Sequence, residues 1–518
     1  MEAETAHFGL LSLLPVVVAI GLALWTRQVV LSLFVGTFSA ALVYAGGAPW
    51  DALVRVVDPL LLDAMADRDH VKVTVFSLLV AATVKVMSDA GGTRALVEQL
   101  ARLARSRRSG LVATWASGMV IFFDDYANCL VVGSAMRPLT DRLRISREKL
   151  AYLIDSTAAP MATVALVSTW IGYEVGLMDD ALQAAGQTEI NAYSFFLEGL
   201  PYRFYPLLAL FFAGAIAASG RDFGPMRAAE AAALGAEAAV EDDAPPPARR
   251  AWLAVLPVAL LVGVTGASLW VQGSGGAPDG ARLFEIIGNA DGYDAMIHGS
   301  LAALTTATLL AVGTRSLSVA AGAKAITHGM GELFEALVVL YLAWALAAGI
   351  ADLGAAPFLV SAIGDSLPAW SLPGVTFVVA AAIAFATGTS FGTMGVLLPL
   401  VIPLAFEVDP TVAVASAAAV LSGATWGDHC SPISDTTVLS STGAGCDHAA
   451  HVATQLPYAL AAGGISLLLC SVPAGFGLSP WLCLLAGAAA CAALIWGVGR
   501  PPEARVSPPA GRASSPQT

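Results

Sequence analysis

Residues 424–442 read ATWGDHCSPISDTTVLSST. An apolar run, Val412–Leu421, leads in, and helix-forming residues lead out. Between them stand Gly427, Asp428, His429, Cys430, Pro432, Asp435 and a series of hydroxyl residues. The chain around this stretch has 518 residues, 57% hydrophobic and 13% charged, with a mean hydropathy of +0.73. Soluble domains carry about 25% charge. Apolar runs of membrane-spanning length recur from end to end. A bilayer tolerates a polar stretch only where protein or a water-filled cavity surrounds it. We therefore read residues 424–442 as half of an ion site.

The fold class that follows is an all-α polytopic membrane protein with discontinuous helices. A β-barrel is excluded because the segments are continuous apolar runs rather than ten-residue alternations. The net charge of −13 argues against a nucleic-acid partner. Met1–His7 is acidic, so no cleavable signal is expected. The six cysteines lie in or beside apolar segments and suggest no disulfide framework.

Taken outward from its start, the chain opens with a helical pair, Leu10–Trp25 and Val29–Tyr44, and an external loop to residue 70. Val71–Ala90 is a third span, and Thr93–Arg108 is a basic amphipathic helix suited to the cytoplasmic interface. Residues 110–137 hold two short apolar runs around Asp124–Asn128, too short for two crossings of about 20 residues each. Basic residues flank both sides, so a re-entrant hairpin opening to the cytoplasm is expected. Residues 146–177 form a span broken by Asp155–Pro160, and Phe195–Ala218 returns across the membrane. Residues 220–250 are polar and rich in Ala, Glu and Pro, the composition of a flexible cytoplasmic linker.

The second half repeats the plan. Connecting helices occupy 251–325. A span from Ile326, a hairpin at 374–406 with the tip Thr387–Thr393, and a broken helix at 411–442 follow. A further span completes the unit by residue 472, a last transmembrane helix fills 473–500, and the tail 501–518 reads as disordered. The sum is about eleven spans and two hairpins. Placing the N-terminus outside and the C-terminus in the cytoplasm leaves few of the 26 Lys and Arg residues external: Arg55, Arg68, Lys72, Arg203 and Arg282, with Lys85 inside a span. The first hairpin then opens inward and the second outward. Residues 71–219 and 326–472 are thus expected to be inverted-topology transport repeats, which bind their cargo near the midplane.

Four polar breaks carry the chemistry. The first hairpin tip offers Asp124, Asp125 and Asn128, and the first broken helix Asp155, Ser156 and Thr157. The second tip offers Thr387, Thr389, Ser390 and Thr393, and the second broken helix Asp428, His429, Ser431, Ser434, Asp435, Thr436 and Thr437. Na⁺ wants oxygen ligands, and carboxylates, hydroxyls and carbonyls freed at an unwound helix supply them. The metal expectation is transported Na⁺ at Asp155, Asp428 and Asp435 with neighbouring hydroxyls. The same carboxylates take protons when desolvated, so one site would hold H⁺ or Na⁺ but not both. Asp124 and Asp125 project about 100° apart on a helix. Asp125 shares a face with Asn128, which leaves Asp124 to cap the following half-helix. Which of Asp124/Asp125 and of Asp428/Asp435 meets the ion stays open. Glu174 reads as a snorkelling interfacial acid, and Lys85, Glu332 and Glu335 as structural ion pairs. Cys430, Cys446, His448 and His451 only superficially resemble a zinc pattern.

GDHCSPISDTTVLSS (Gly427–Ser441) closely resembles the signature of the NhaC family of Na⁺/H⁺ antiporters. FFDDYAN (Phe122–Asn128), MRPLTD (Met136–Asp141), ISREKLAYLIDSTAAP (Ile145–Pro160) and TGTSFGT (Thr387–Thr393) look like the same family. The resemblance implies a secondary carrier of the ion-transporter type, not an enzyme, with no cofactor, in the cell membrane. It implies Na⁺ efflux driven by inward H⁺ movement. Family members also include exchangers of malate and lactate coupled to Na⁺ and H⁺. The leading expectation is a Na⁺/H⁺ antiporter working by alternating access. The alternative is a Na⁺/H⁺-coupled organic-acid or amino-acid transporter on the same fold. The absence of arginine from the four breaks favours a cation alone. An intramembrane aspartyl protease would need a facing aspartate dyad, and the surrounding hydroxyls and glycines fit ion coordination better. A passive channel would carry current without coupling. The expected partners are Na⁺, H⁺ and the lipid bilayer, and a homo-oligomer is left open.

Overall fold

A computed structural model describes residues 8–26, 28–102, 104–235, 250–275, 286, 290–355, 358 and 368–503. Among these residues the architecture is helical, with one isolated antiparallel bridge between Asp222 and Arg500. The tail from residue 504, and residues 236–249 of the expected linker, lie outside the described residues. Eight helices among the described residues are long and apolar enough to cross a membrane, or up to ten if each bent pair counts as one span. The sequence suggested about eleven. The two counts include different segments. The first helix and the broken helices at 146–177 and 411–442 are not among the eight, whereas both arms of the second hairpin, Ala369–Thr387 and Ser390–Val408, are. The two bent pairs are Val30–Tyr44 with Pro49–Ala66, through 120°, and Ala192–Tyr202 with Phe204–Ser219, through 48°.

The first hairpin runs up through Arg107–Val120, turns at Ile121–Asp124, and returns through Asp125–Ala127, a π-helical turn and Gly133–Arg142. Ser106 and Ser109 cap its start reciprocally. The first broken helix is Arg147–Asp155, then Ala159–Ala162, then a non-helical run to Ser168, then Thr169–Ala184. The second hairpin has arms Leu372–Thr387 and Ser390–Val408. The second arm has 19 residues and the first reaches 19 when extended back to Ala369, so each is longer than its apolar run in the sequence and long enough to cross a membrane. The second broken helix is Ala413–Cys430, a four-residue break, then Asp435–Ala444.

Each hairpin tip packs on the break of its own half. Asn128 Nδ2 donates to the carbonyl of Thr157 at 2.8 Å, and a Cβ on Gly118 would overlap the Thr157 hydroxyl. In the second half, Gly388 adopts φ +69, and a Cβ there would meet the backbone of Ile433 in the break. A left-handed turn this close to another backbone requires glycine. Each tip also touches the other half. Tyr126 OH donates to Asp435 at 3.0 Å, and Tyr173 OH donates to the carbonyl of Phe391 at 2.5 Å. Hairpin one crosses Asp435–Ala444 at Gly133 and Gly443, where small residues let backbones approach.

The segment expected to be a flexible linker departs from that reading in its first part. Gly224–Gly235 is a helix, and its Glu230 is buried against Arg107 and the N–H of Ser146 (2.7 Å). Just before it, Asp222 is buried with the ammonium of Lys149 and with Tyr458 OH (2.7 Å). Ala- and Glu-rich composition reads as solvated because the cations that bury its acids come from other segments.

Candidate functional site

The first broken helix ends at Asp155, which is 1% exposed. Its Oδ2 accepts from Gln455 Nε2 at 2.6 Å and from Thr437 Oγ1 at 3.2 Å, with His451 Nε2 at 3.3 Å. Its Oδ1 has no hydrogen-bond partner among the described residues, and neither does Gln455 Oε1. Gln455 Nε2 also donates to the carbonyl of His429 at 2.8 Å. The His429 ring lies with Nε2 3.4 Å from Ser156 Oγ and Nδ1 2.6 Å from Tyr205 OH. Ser440 Oγ is 3.1 Å from His451 Nε2. One carboxylate from break one is therefore held by side chains from break two and from the helix His448–Ile465.

This arrangement follows from the two interruptions. Asp155 ends a helix at Ser156-Thr157, and Thr157 Oγ1 turns back to donate to Leu153 O at 2.8 Å. Pro432 cannot continue the helix that ends at Cys430, so the chain restarts at Asp435. Asp155 and Thr437 meet between these ends.

The remaining expected residues divide by what they touch. Asp125 is buried, while Asp124 caps the short helix after it by accepting from Ala127 N–H at 2.7 Å. Asn128 donates to the carbonyls of Gly118, Ile121 and Thr157, which ties together the ends of hairpin one and break one; its Oδ1 has no partner among the described residues. Asp428 is buried and takes a hydrogen bond from Ser434. Ser434 also faces Thr436 Oγ1 at 3.2 Å, and Ser431 Oγ accepts from Ile433 N–H at 3.3 Å. Asp435 is exposed and takes Tyr126 OH. The hydroxyls of the second tip serve backbone: Thr387 donates to Ile383 O, Ser390 to Ala424 O and Thr393 to Thr389 O, while Thr389 accepts from Gly392 N–H.

Among the described residues no three His, Cys, Asp or Glu side chains are grouped to hold a metal ion. Asp155, Asp428 and Asp435 therefore do not form one three-carboxylate cage. Cys430, Cys446, His448 and His451 do not converge either: His448 Nε2 lies 2.7 Å from Pro432 O, whereas His451 faces Asp155. His451, Gln455 and Tyr205 were not anticipated as parts of the site. His451 and Gln455 share the helix His448–Ile465 and Tyr205 lies on Phe204–Ser219, and only a partner far along the chain distinguishes each.

Two further polar features stand outside this centre. Glu174, expected at the membrane surface, is fully buried with Arg203, 2.5 Å from its Nη1. At one end of the molecule a cavity of about 390 Å³ is lined by acids including Asp69, Asp179, Glu189 and Asp291. Lys72 bridges Asp291 at 2.6 Å and Asp294 at 3.0 Å beside it. Beyond the membrane-spanning part of its helix, Asp179 has its carboxyl pushed up to about 6 by burial, with the charges of Asp180 and Asp69 adding to the effect.

Comparison with known proteins gives the chain its relatives. The Na⁺/H⁺ antiporter family matches residues 161–472. An uncharacterized protein of Haemophilus influenzae is 32% identical over 466 residues, 89% of this chain and 90% of that one. The malate-2H⁺/Na⁺-lactate antiporter of Bacillus subtilis is 32% identical over 149 residues, 29% of this chain and 32% of its own. Among solved structures, the YdaH transporter of Alcanivorax borkumensis, described as having an unusual topology, shares the fold with a TM-score of 0.58. That likeness has 17% identity and covers 87% of this chain and 90% of the other.

Proposed function

The chain belongs to the Na⁺/H⁺ antiporter family, and from that premise we propose that it exchanges Na⁺ for H⁺ by alternating access, with Asp155 as the carboxylate that takes either ion. It is a multi-pass membrane transporter, and the family makes Na⁺ and H⁺ its transported ions. The observation that carries the competition at Asp155 is the asymmetry of its carboxylate. Oδ2 is held by Gln455, Thr437 and His451, while Oδ1 and Gln455 Oε1 are buried acceptors without donors among the described residues. A buried carboxylate oxygen is costly without a partner. Of the ions the family carries, Na⁺ and H⁺ each satisfy such an acceptor, and one excludes the other. Asp428, buried where the chain enters break two, is the second carboxylate of this reading, and Asp125 with Asn128 lines it from hairpin one.

Alternation is proposed to come from repeats 71–219 and 326–472. Its support is the paired contacts of each tip with its own break and with the opposite half. The N-terminus is placed outside and the C-terminus in the cytoplasm of the cell by the Lys and Arg distribution. The similarity to a malate/lactate antiporter favours one second reading, in which a carboxylate moves with Na⁺ and H⁺.

Proteoliposomes holding a pH-sensitive dye test the first reading. Na⁺, Li⁺, K⁺, malate and lactate are added singly, with and without a membrane potential. Na⁺ alone is expected to move protons out of step with any carboxylate, and Asp155→Asn and Asp428→Asn to abolish that response in folded protein. A pH response to carboxylates but to no cation alone would sink cation exchange, and normal exchange in both variants would remove these residues from the site.

A further inference from the structure

We propose that Arg203 forms a binding site for the carboxylate group of a small organic acid, at a third interrupted helix within the span read from the sequence as Phe195–Ala218, where the charge count puts Arg203 on the outer side. Arg203 stands between Leu200–Tyr202 and Phe204–Ser219, with non-helical φ −77 and ψ 65, at the 48° bend of that span. Its side chain is fully buried. Nη1 makes all its hydrogen bonds to the described residues: Glu174 Oε2 at 2.5 Å, Thr163 Oγ1 at 2.7 Å and the Thr163 carbonyl. Thr163 Oγ1 donates in turn to Glu174 Oε1 at 2.5 Å, and the Phe196 ring covers the guanidinium at 4.4 Å. Nε and Nη2 have no hydrogen-bond partner among the described residues.

These two donors are the point. Nε–H and the adjacent Nη2–H lie along one edge of the guanidinium and form the parallel pair that a carboxylate accepts bidentately. A purely structural Arg–Glu pair would be expected to use that edge for Glu174, because two parallel bonds are stronger than one. Here the glutamate is bound at the other nitrogen and balances the charge, while the recognition edge is free of protein acceptors. The buried donors on that edge are costly unless something accepts from them.

The location fits a transported group. Thr163 opens the non-helical run after break one, so the guanidinium lies between two interrupted helices, where carriers of this kind bind cargo. Tyr205, two residues on, reaches His429 of the central cluster at 2.6 Å. The inference deepens the organic-acid reading and is independent of cation exchange, so either can fail alone.

The test is calorimetry on the full chain in lipid nanodiscs with sodium L-lactate and sodium L-malate. Lactamide, the neutral isostere of lactate, is the control, and Na⁺-driven pH response is measured on the same preparations. Wild type is expected to bind at least one carboxylate and not lactamide. Arg203→Lys keeps the charge but loses the planar edge, and is expected to weaken binding about tenfold or more. Glu174→Gln removes the competing carboxylate and is expected to tighten binding several-fold. That opposite sign is what a structural ion pair would not produce, since damage to the fold weakens binding in both variants. Folding of each variant is checked by size exclusion and thermal melting. Binding of neither acid by folded wild type, equal binding of lactamide, or parallel weakening in both variants overturns the proposal. An intact Na⁺-driven response alongside any of these leaves the exchange reading standing.

Discussion

Replacing Gln455 with leucine isolates the element that fixes Asp155. The amide donates to Asp155 Oδ2 at 2.6 Å and to the His429 carbonyl at 2.8 Å. A hydrogen bond to a charged group contributes about 1.5–3 kcal/mol, and a neutral one about 0.5–1.5. The neutral bond joins His429 to Gln455 whether or not an ion is bound, so its loss falls on stability. The bond to the carboxylate falls on the ion, because without it Oδ1 is no longer held in one place and Gln455 Oε1 is gone as a neighbouring oxygen. At 1.4 kcal/mol per decade, the half-saturating Na⁺ concentration should rise roughly ten- to a hundredfold. The assay is the Na⁺ titration of dye-loaded proteoliposomes, with protein amount and melting temperature matched to wild type. Gln455→Glu is the companion, since it keeps the length and replaces the donor with a second carboxylate. A half-saturating Na⁺ concentration unchanged in folded Gln455→Leu would refute the role assigned to the pinned carboxylate.

Two other perturbations probe the frame. Gly118→Ala drives a methyl into the Thr157 hydroxyl, and overpacking of this kind costs about 1–3 kcal/mol. Melting temperature and exchange should both fall, and Gly118→Ala with Thr157→Gly, which removes the hydroxyl and also the Cβ 2.6 Å from the new methyl, should recover part of the melting temperature if that contact is the cause. Asp179→Asn tests the acidic cavity. The Asp179 carboxyl lies at about 6 in the folded protein, above its usual range, so its ionisation weakens the fold as pH rises through about 6. The uncharged variant should be more stable by about 1 kcal/mol near pH 8 after solvent screening, with the gain disappearing below about pH 4. Melting curves at the two pH values decide it, and an equal gain at both would show that charge is not the cause.

The four interruptions were legible because a carboxylate or a run of hydroxyls inside an apolar segment has few explanations. Asp155, Asp428 and the hairpin tips were found that way. The capping role of Asp124 was legible from its place before a half-helix, and the structure has it accept from Ala127 N–H. Gln455 and His451 were not, because a single amide or imidazole in a helix such as HVATQLPYAL has no local signature. Their meaning comes from Asp155, 300 and 296 residues away. Arg203 and Glu174 were misplaced for a related reason. A charge near the end of an apolar run reads as interfacial whether it snorkels or is buried against a partner from another helix. The number of spans was legible only approximately, because the helices of the second hairpin run past the ends of their apolar runs and two other apolar runs bend.

The buried trio of Lys149, Asp222 and Tyr458 has a consequence for how the chain is made. Asp222 follows Lys149 by 73 residues, and Tyr458 follows Asp222 by 236. Arg500, whose backbone pairs with that of Asp222, comes later still. As the ribosome delivers the chain, the Lys149 ammonium must wait in the interface for its counter-ion, and the aspartate must then wait for nearly the whole second half. The first half can insert early but cannot finish packing early. Maturation is thus timed by the last helices to emerge, and a stalled or shortened chain would present an unfinished, charged seam to the quality-control machinery of the membrane.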